Sequence, residues 1–297
     1  MARQYEFRPA KAAQRMMIVD ACRRLTAIAP LVKYQYVGFG GLEFIDFVEF
    51  HRGLGVPQMT SIERDTNMQH RLDFNKPYKS IRVLMGEARD QLPQVDWTQL
   101  SITWLDYTDV LTTDILRDVD FVVRSSQPGS IVIVTVNGAT TKVPVPERLS
   151  NLRASLGSHV DDSLTEKDMA GWGPTKLERS VLQATAHAAG RQAHGLPFRQ
   201  LFNFHYADDA KMLTWGGITT SSSLDRTIDS CRFEDLHFIR GDDDPFEINV
   251  PVLTEKEIAY LETELVGIPT PLPQIRGISS AEIKAFAQVY RWRVGSR

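Results

Sequence analysis

Short apolar runs alternate with helical patterns through the first half of this sequence. Each run is rich in the β-branched and aromatic residues that favour strands, and apolar residues recur at helical spacing between the runs. The predicted strands cover residues 32–39, 58–63, 81–85, 100–105 and 130–136. Strands that read as nearly continuous apolar runs and are separated by helices are typical of a parallel sheet covered on both faces. The sequence therefore predicts an α/β fold.

The second half of the chain adds a predicted hairpin and a tail. A long helix is expected over 174–192. Two β-type runs, 199–206 and 211–219, then flank four residues that include two aspartates, which predicts an antiparallel hairpin. We therefore expect a Rossmann-like, mostly parallel seven-stranded sheet with a late antiparallel hairpin, followed by a small C-terminal α+β extension.

These patterns divide the chain into three predicted segments. Residues 1–30 form an N-terminal basic helix, residues 31–225 the Rossmann-like domain, and residues 226–297 the extension. The helical pattern over 9–30 has one broad apolar face and is ended by Pro30. Its basic residues are Arg3, Arg8, Lys11, Arg15, Arg23 and Arg24. They either meet an anionic substrate or partner or form an ordinary solvated face, and the acidic extension would complement them across a homodimer.

Composition excludes some broad classes of protein. Hydrophobic residues make up 42% and charged residues 24%, which is ordinary for a globular chain, and the net charge of −3 predicts no general affinity for nucleic acid or anionic membranes. The two cysteines, Cys22 and Cys231, form no CxxC pair, and no cluster has the spacing of metal ligands. Because neither a signal sequence nor a run of roughly 18 apolar residues is present, we expect a cytoplasmic protein.

A glycine turn marks the first candidate site. The first predicted strand runs into Gly38-Phe39-Gly40-Gly41 and a helix follows, so backbone N–H groups and a helix N-terminus face a ligand there. Glu63 ends the second strand, 22 residues beyond Gly41. An acidic side chain at this position of a Rossmann-type fold can accept hydrogen bonds from ribose hydroxyls. An ordinary sharp turn and a solvated carboxylate are the structural alternatives.

Two further strand ends point to the same place. The third predicted strand delivers Gly86-Glu87-Ala88, and the fourth delivers Asp106-Tyr107. In open α/β sheets, ligands bind outside the carboxyl ends of the strands. Each acidic residue alone has the alternative role of capping the next helix. The prediction of a ligand-binding site therefore depends on all four segments, from the glycine turn to Asp106-Tyr107, lying at the same edge of the sheet.

The order of these features resembles the class I S-adenosylmethionine-dependent methyltransferases, above all bacterial proteins described as O-methyltransferases. The resemblance covers roughly residues 30 to 220 and implies S-adenosylmethionine as cofactor and an unidentified acceptor, with O-methylation favoured. The cofactor residues that it implies are Gly38, Phe39, Gly40, Gly41, Glu63, Arg64, Gly86, Glu87, Ala88 and Asp106. It implies that Glu63 holds the ribose, that Glu87 approaches the adenine and that Asp106 faces the transferred methyl group.

The residues expected to handle the substrate are Asp106, Tyr107 and His205. A base is needed only when the acceptor must lose a proton, and the candidate bases are Asp106, His205 and Asp208. A histidine on a strand is also explained by a structural role. Asp208 is equally explained as a turn residue.

Two positions depart from the pattern of the family. Tyr36 stands where the family carries an acidic residue, and Leu42 stands where it carries a third glycine. Glu43 or Asp46, early in the next helix, would compensate for the missing acid. An alternative is therefore a binding or regulatory subunit with this fold and impaired catalysis. A nicotinamide-dependent oxidoreductase is a second alternative, although its G-x-G-x-x-G pattern would require glycine at position 43.

Overall fold

The structure is a computed structural model, and it describes residues 8–138, 143–267 and 269–293. The strands of these residues are β1 (Tyr34–Gly38), β2 (Gln58–Glu63), β3 (Ile81–Met85), β4 (Leu100–Asp106), β5 (Ile131–Asn137), β6 (Arg199–Ala207), β7 (Lys211–Ile218) and β8 (Phe246–Ile248). The α-helices are α1 (Pro9–Arg23), α2 (Ile45–Leu54), α3 (Gln69–Asn75), α4 (Ala88–Gln91), α5 (Thr113–Ser125), α6 (Val145–Leu156), α7 (Gly173–His194), α8 (Asp225–Ser230), α9 (Glu255–Glu264) and α10 (Ser280–Val289).

All strands join one sheet in the order β3-β2-β1-β4-β5-β7-β6-β8. Strands β1 to β5 are parallel, whereas β7 is antiparallel to both β5 and β6. The expected α/β class, the parallel sheet and the late hairpin are confirmed. The order also places a switch point between β1 and β4, since β1 pairs with β2 on one side and with β4 on the other. A crevice for ligands is expected outside the carboxyl ends of these strands.

The sheet has one strand more than the seven that the sequence predicted. The extra strand, β8, comes from the C-terminal extension and pairs in parallel with β6, where Phe204 lies opposite Phe246. Without β8, the backbone of β6 would form an open edge with unpaired N–H and C=O groups. The extension therefore covers the edge that the late hairpin would otherwise leave open.

Two apolar clusters cover the two faces of the sheet. On one face, α1 and α2 pack over aromatic side chains of the sheet that include Tyr36 and Trp104. On the other face, α5 and α7 pack over side chains such as Val134 and Trp215. Each large side chain buried in this way stabilises the fold by roughly 1.5–3 kcal/mol relative to an exposed one. Aromatic rings of the extension, including Trp292, join the first cluster.

The N-terminal helix is shorter than the sequence predicted. The pattern over 9–30 favoured one helix, but α1 ends at Arg23 and a 3₁₀ turn follows over Arg24–Ala27. The hydroxyl of Thr26 donates to the carbonyl of Arg23 at 3.0 Å, and such local bonds compete with a continuing α-helix. The helix therefore ends before Pro30 is reached.

The basic side chains of the N-terminal segment are paired within the chain. Arg3 lies outside the described residues. The other five form ion pairs, which are Arg8 with Asp209, Lys11 with Asp106, Arg15 with Asp46, Arg23 with Asp20 and Arg24 with Asp235. Since Asp235 belongs to the extension, part of the complementarity expected across a homodimer is formed inside one chain. The homodimer itself stays a prediction.

The extension also has a small core of its own. Residues of α9 and α10 form a separate apolar cluster around Leu261 and Phe286. Both helices begin with a capping box, in which Thr254 and Ser279 each exchange hydrogen bonds with a glutamate three residues later. Among the residues that the structure describes, no helix combines the length and the apolar character needed to cross a membrane.

Candidate active site

In the glycine turn after β1, one glycine is tightly packed and the next one faces open space. The N–H of Gly40 donates to Ser61 Oγ at 3.0 Å, and a Cβ on Gly40 would lie 2.6 Å from the Phe44 ring. Gly41 has φ +52°, and nothing lies within 4 Å of the position that a Cβ would take there. Phe44, at the start of α2, is left-handed too, with φ +49°. Gly40 is therefore required by packing, whereas Gly41 supplies the turn and faces open space.

The ends of β2 and β3 meet beside this turn. The N–H of Gly86 donates to the backbone oxygen of Glu63 at 2.8 Å, so the two strand ends are joined. Glu63 Oε1 accepts from the N–H of Asp65 at 3.0 Å, which engages one of its two carboxylate oxygens. Glu87 is exposed and occupies the N-cap position of α4 without a side-chain capping bond. Its carboxylate is thus not explained by the capping role.

The remaining predicted cofactor residues of these loops surround that junction. Arg64 is exposed immediately after β2, and Ala88 is the first residue of α4. Phe39 packs edge-on against Tyr107, with ring centroids 5.0 Å apart. The structure therefore brings the predicted segments of the first four strands to one edge of the sheet.

Asp106, at the end of β4, is held by a lysine of α1. Lys11 Nζ lies 2.5 Å from Asp106 Oδ1, and the two side chains are only 10% and 24% exposed. The Lys11 ammonium also lies 4.6 Å from the centroid of the Trp104 ring. Burial alone would lower the pKa of Lys11, but the Asp106 carboxylate and other neighbours raise it above its ordinary value. Lys11 is therefore a buried cation within the site.

Sequence reasoning placed Lys11 only on a basic helix face. Its spacing from the apolar residues of α1 gave no sign that it would be buried. The partner, Asp106, is 95 residues away along the chain. The sequence does contain both a basic N-terminal helix and several strands that end in acidic residues. That coincidence is the one feature that could have suggested an ion pair between them.

A second buried ion pair lies under α1. Arg15 Nε pairs with Asp46 Oδ1, and the two side chains are 11% and 9% exposed. Asp46 is one of the two acids that the sequence offered in compensation for Tyr36, whereas the other, Glu43, is exposed. The Arg15–Asp46 pair and the Lys11–Asp106 pair thus form a balanced set of four charges, which we call the buried charge network.

Tyr36 borders both the network and the glycine turn. Its ring stacks on Phe50 with centroids 4.3 Å apart, and its hydroxyl has no hydrogen-bond partner among the described residues. Burial, together with Asp46 and Asp106, raises the pKa of Tyr36 well above its usual value. A Cβ on Gly38 would lie 2.8 Å from the Tyr36 hydroxyl. A neutral, unpartnered hydroxyl therefore lies directly beside the turn.

Tyr107 follows Asp106 but turns its hydroxyl elsewhere. The Tyr107 hydroxyl donates to Asp118 Oδ2 on α5 at 2.6 Å. Burial and the neighbouring Asp118 carboxylate raise the pKa of Tyr107. In this structure the side chain fastens the loop after β4 to α5. A catalytic role for Tyr107 stays a prediction.

Two cavities border the carboxyl ends of the later strands. The smaller has a volume of about 150 Å³ and is lined by residues that include Lys11, Arg15, Asp106, Tyr206 and Asp208. The larger, of about 1070 Å³, lies between the start of α7 and the C-terminal extension. Neither contains the glycine turn. The smaller cavity borders Asp106 directly.

His205 lines the larger cavity and not the smaller one. It is 2% exposed and stacks on Trp172 with ring centroids 4.5 Å apart. Burial, followed by the positive charges of Lys176 and Lys211, lowers the pKa of His205 to about 4. Residues along a strand alternate between the faces of a sheet, and the neighbours of His205 in β6 belong to the cluster under α1. The structure therefore separates His205 from the other two candidate bases.

Asp208 caps the N-terminus of α1. Its two carboxylate oxygens accept from the N–H groups of Ala10 and Lys11 at 3.1 and 3.0 Å. These N–H groups have no partner inside the helix, so the hairpin supplies the cap that α1 lacks locally. Asp208 thus has a structural task that the sequence, which suggested a turn residue, did not reveal.

Three solved structures are distantly similar to this chain. Cofactor-bound Rv0187 from MTB is 14% identical, with 70% of this chain and 81% of that one covered and a TM-score of 0.40. Human N-acetylserotonin methyltransferase in complex with SAM is 13% identical, with 71% and 57% covered and a TM-score of 0.36. The O-methyltransferase TomG from Streptomyces achromogenes, in complex with SAM, is 15% identical, with 70% and 88% covered and a TM-score of 0.39.

Sequence comparison gives the family. No curated protein matches this chain at a significant level. The model of the family described as "Putative O-methyltransferase" matches residues 3–293. The resemblance inferred from the strand-end motifs is thereby confirmed. Because the match spans nearly the whole length, this chain belongs to that O-methyltransferase family.

Proposed function

We propose that this protein transfers a methyl group from S-adenosylmethionine to an acceptor oxygen. The observation that carries the proposal is the meeting of the glycine turn, Glu63, Gly86 and Asp106 at one edge of the sheet. Membership of the O-methyltransferase family supports it. S-adenosylmethionine supplies an electrophilic methyl group on a positively charged sulfur.

The residues at the carboxyl edge of the sheet fit this cofactor. Gly41 faces open space and permits close approach of a ligand to the backbone. Glu63 has a carboxylate oxygen beyond the one bound to Asp65, and it suits ribose hydroxyls. The Tyr36 hydroxyl beside Gly38 has no hydrogen-bond partner among the described residues, and a polar group of the cofactor would supply one. Glu87, at the free N-cap of α4, suits the adenine amino group.

The chain itself contributes mainly position and charge. Methyl transfer depends on holding donor and acceptor in line, and orientation alone accounts for much of the rate. The helix α1 covers the end of β4 and keeps Asp106 only 24% exposed, which limits water at the reacting centre. Lys11 stays protonated beside Asp106 and therefore supplies a fixed positive charge there.

The strand order argues against the nicotinamide-dependent alternative. A dinucleotide-binding sheet is parallel in the order 3-2-1-4-5-6. Here β7 runs antiparallel between β5 and β6. The alternative of a regulatory subunit with impaired catalysis predicts cofactor binding without transfer of the methyl group.

Titration calorimetry tests the proposal. We expect the purified chain to bind S-adenosylmethionine and S-adenosylhomocysteine, and Glu63→Ala to weaken binding about tenfold or more, since two charge-assisted hydrogen bonds are lost. The matched control is Glu255→Ala, at an exposed glutamate of α9, which should leave binding unchanged. Absence of binding at millimolar cofactor would refute the cofactor assignment. Binding without turnover on any acceptor would favour the regulatory role.

A cytoplasmic location is part of the same proposal. It is supported by the two free, buried cysteines, Cys22 and Cys231. Fluorescence microscopy of a tagged chain would check it.

A further inference from the structure

The smaller cavity is bordered by charges that are already matched. On one side lie three members of the buried charge network, Lys11, Asp106 and Arg15, whereas the fourth member is not part of the cavity wall. On the other side Asp208 accepts two backbone N–H groups, and Asp209 pairs with Arg8. A group that enters this cavity therefore meets a site in which positive and negative side chains balance.

The methyl donor disturbs this balance. If the cofactor binds as proposed above, its sulfonium would bring a positive charge to the end of β4, beside a network that holds equal numbers of positive and negative side chains. An unmatched charge in a largely buried site is strongly unfavourable. An acceptor that carries one negative charge restores neutrality. Transfer to such an acceptor also removes both charges in one step.

Among the residues that the structure describes, no unpaired proton acceptor lines the cavity. Among the described residues that line it there is no histidine, and His205 lies at the larger cavity. Asp106 is paired with Lys11, both oxygens of Asp208 are engaged, and the third carboxylate of the lining, Asp209, is paired with Arg8. A phenol or an alcohol would have to lose its proton to a base, whereas a carboxylic acid is already ionised at neutral pH. The lining thus favours an acceptor that needs no base.

We propose that the acceptor is a carboxylate, held by the Lys11 ammonium in the smaller cavity and converted to a methyl ester. This proposal rests on the function proposed above. An ammonium group has three N–H donors; the bond to Asp106 uses one and the Tyr206 hydroxyl interacts with another, so a third can reach an acceptor. The acceptor carboxylate and Asp106 then flank Lys11, so that charges alternate. Arg15 and Arg8 extend the positive border of the cavity.

The reaction balances without a further reactant. One carboxylate oxygen forms a bond to the methyl carbon, and the bond between that carbon and sulfur breaks with its electron pair left on sulfur. The products are a methyl ester and S-adenosylhomocysteine. No proton is released, unlike methylation of a hydroxyl or an amine. Lys11 keeps its proton throughout.

The test uses the full chain saturated with sinefungin, a cofactor analogue whose amine stands in for the sulfonium. Binding of sinefungin is measured first, and its failure would count against the proposed function rather than against the acceptor class. Acetate and benzoate are then titrated in parallel with acetamide and benzamide. We expect at least one acid to bind about tenfold or more tightly than its amide, because only the acid pairs with Lys11.

Variants assign the preference to Lys11. Lys11→Met should abolish the preference for the acid over the amide. Lys11→Arg should retain most of this preference, because the positive charge is kept. The control is Lys256→Met, at an exposed lysine of α9, which should leave the preference unchanged. Should Lys11→Met fail to fold, the double variant Lys11→Met/Asp106→Asn removes both charges together, and the acid preference must still vanish. The inference is overturned if sinefungin binds but amides bind as well as acids, if neither acid binds at about 50 mM, or if Lys11→Met keeps the preference.

Discussion

Tyr36 shows how one residue changes the chemistry of a site without changing its fold. Its ring fills the space between β1 and α2, where it stacks on Phe50 and meets the edge of Phe47. Its hydroxyl is buried without a partner among the described residues, beside Gly38. A buried polar group left unpaired costs stability, and a polar group of the proposed cofactor would supply the missing partner. Asp46 supplies the carboxylate nearby, but it is tied to Arg15.

Tyr36→Phe separates these two roles. Without cofactor, we expect the variant to be more stable by about 1 kcal/mol, because the unpaired hydroxyl is removed and the ring is kept. With S-adenosylmethionine, the stabilisation by ligand should be smaller than in the natural chain. Thermal melting with and without cofactor measures both, and Tyr260→Phe, at a tyrosine 48% exposed, is the control. A variant that is less stable without cofactor would contradict the prediction.

At the scale of elements, the position of α1 decides the character of the site. The helix begins at Pro9, and its first N–H groups are capped by Asp208 from the β6–β7 loop. Two of its side chains, Lys11 and Arg15, reach the carboxyl edge of the sheet. The helix therefore belongs to the site as much as the strand ends do.

Asp208→Ala tests this attachment. Loss of the cap should lower the free energy of unfolding by about 1 kcal/mol, since two N–H groups at the start of α1 lose their acceptor. The adjacent Asp209→Ala removes only an exposed pair with Arg8 and should lower stability clearly less than Asp208→Ala, because exposed ion pairs contribute little. Urea denaturation compares the two variants. Equal effects would mean that Asp208 does not hold α1.

At the scale of the whole molecule, the C-terminal extension completes the sheet rather than standing apart from it. It supplies β8, and Trp292 Nε1 donates to Asp20 of α1 at 3.2 Å. On the opposite face of the sheet, α7 packs on α5 and buries Glu178, whose side chain has no ion pair among the described residues. Burial raises the pKa of Glu178 to about 8, and a weak interaction with the N–H of Leu111 opposes this slightly without forming a complete hydrogen bond.

Glu178 makes the stability of the whole chain depend on pH. Its pKa of about 8 in the folded chain exceeds the ordinary glutamate value of 4.5, so between these values the folded state holds a proton that the unfolded state has lost. The contribution of Glu178 is therefore fully present below pH 4.5 and is lost as the pH rises through about 8. Glu178→Gln should remove this loss, which is on the order of a few kcal/mol.

Melting temperatures from pH 5 to 9 measure the difference. We expect Glu178→Gln to gain stability over the natural chain as the pH rises. The control, Glu262→Gln on the exposed side of α9, should follow the natural chain at every pH. Parallel curves for the natural chain and Glu178→Gln would show that Glu178 does not titrate in this range.

Local patterns determined the α/β class, the first five strands, the hairpin and the glycine turn, because strand and helix periodicity and glycine conformations are properties of short segments. They also located Glu63 and Asp106 at strand ends. Only the tertiary structure decided that Lys11 is buried against Asp106, that His205 faces the larger cavity and that an eighth strand covers β6. These outcomes depend on contacts between distant parts of the chain, and no local pattern records which charged side chain will find its partner across the sheet.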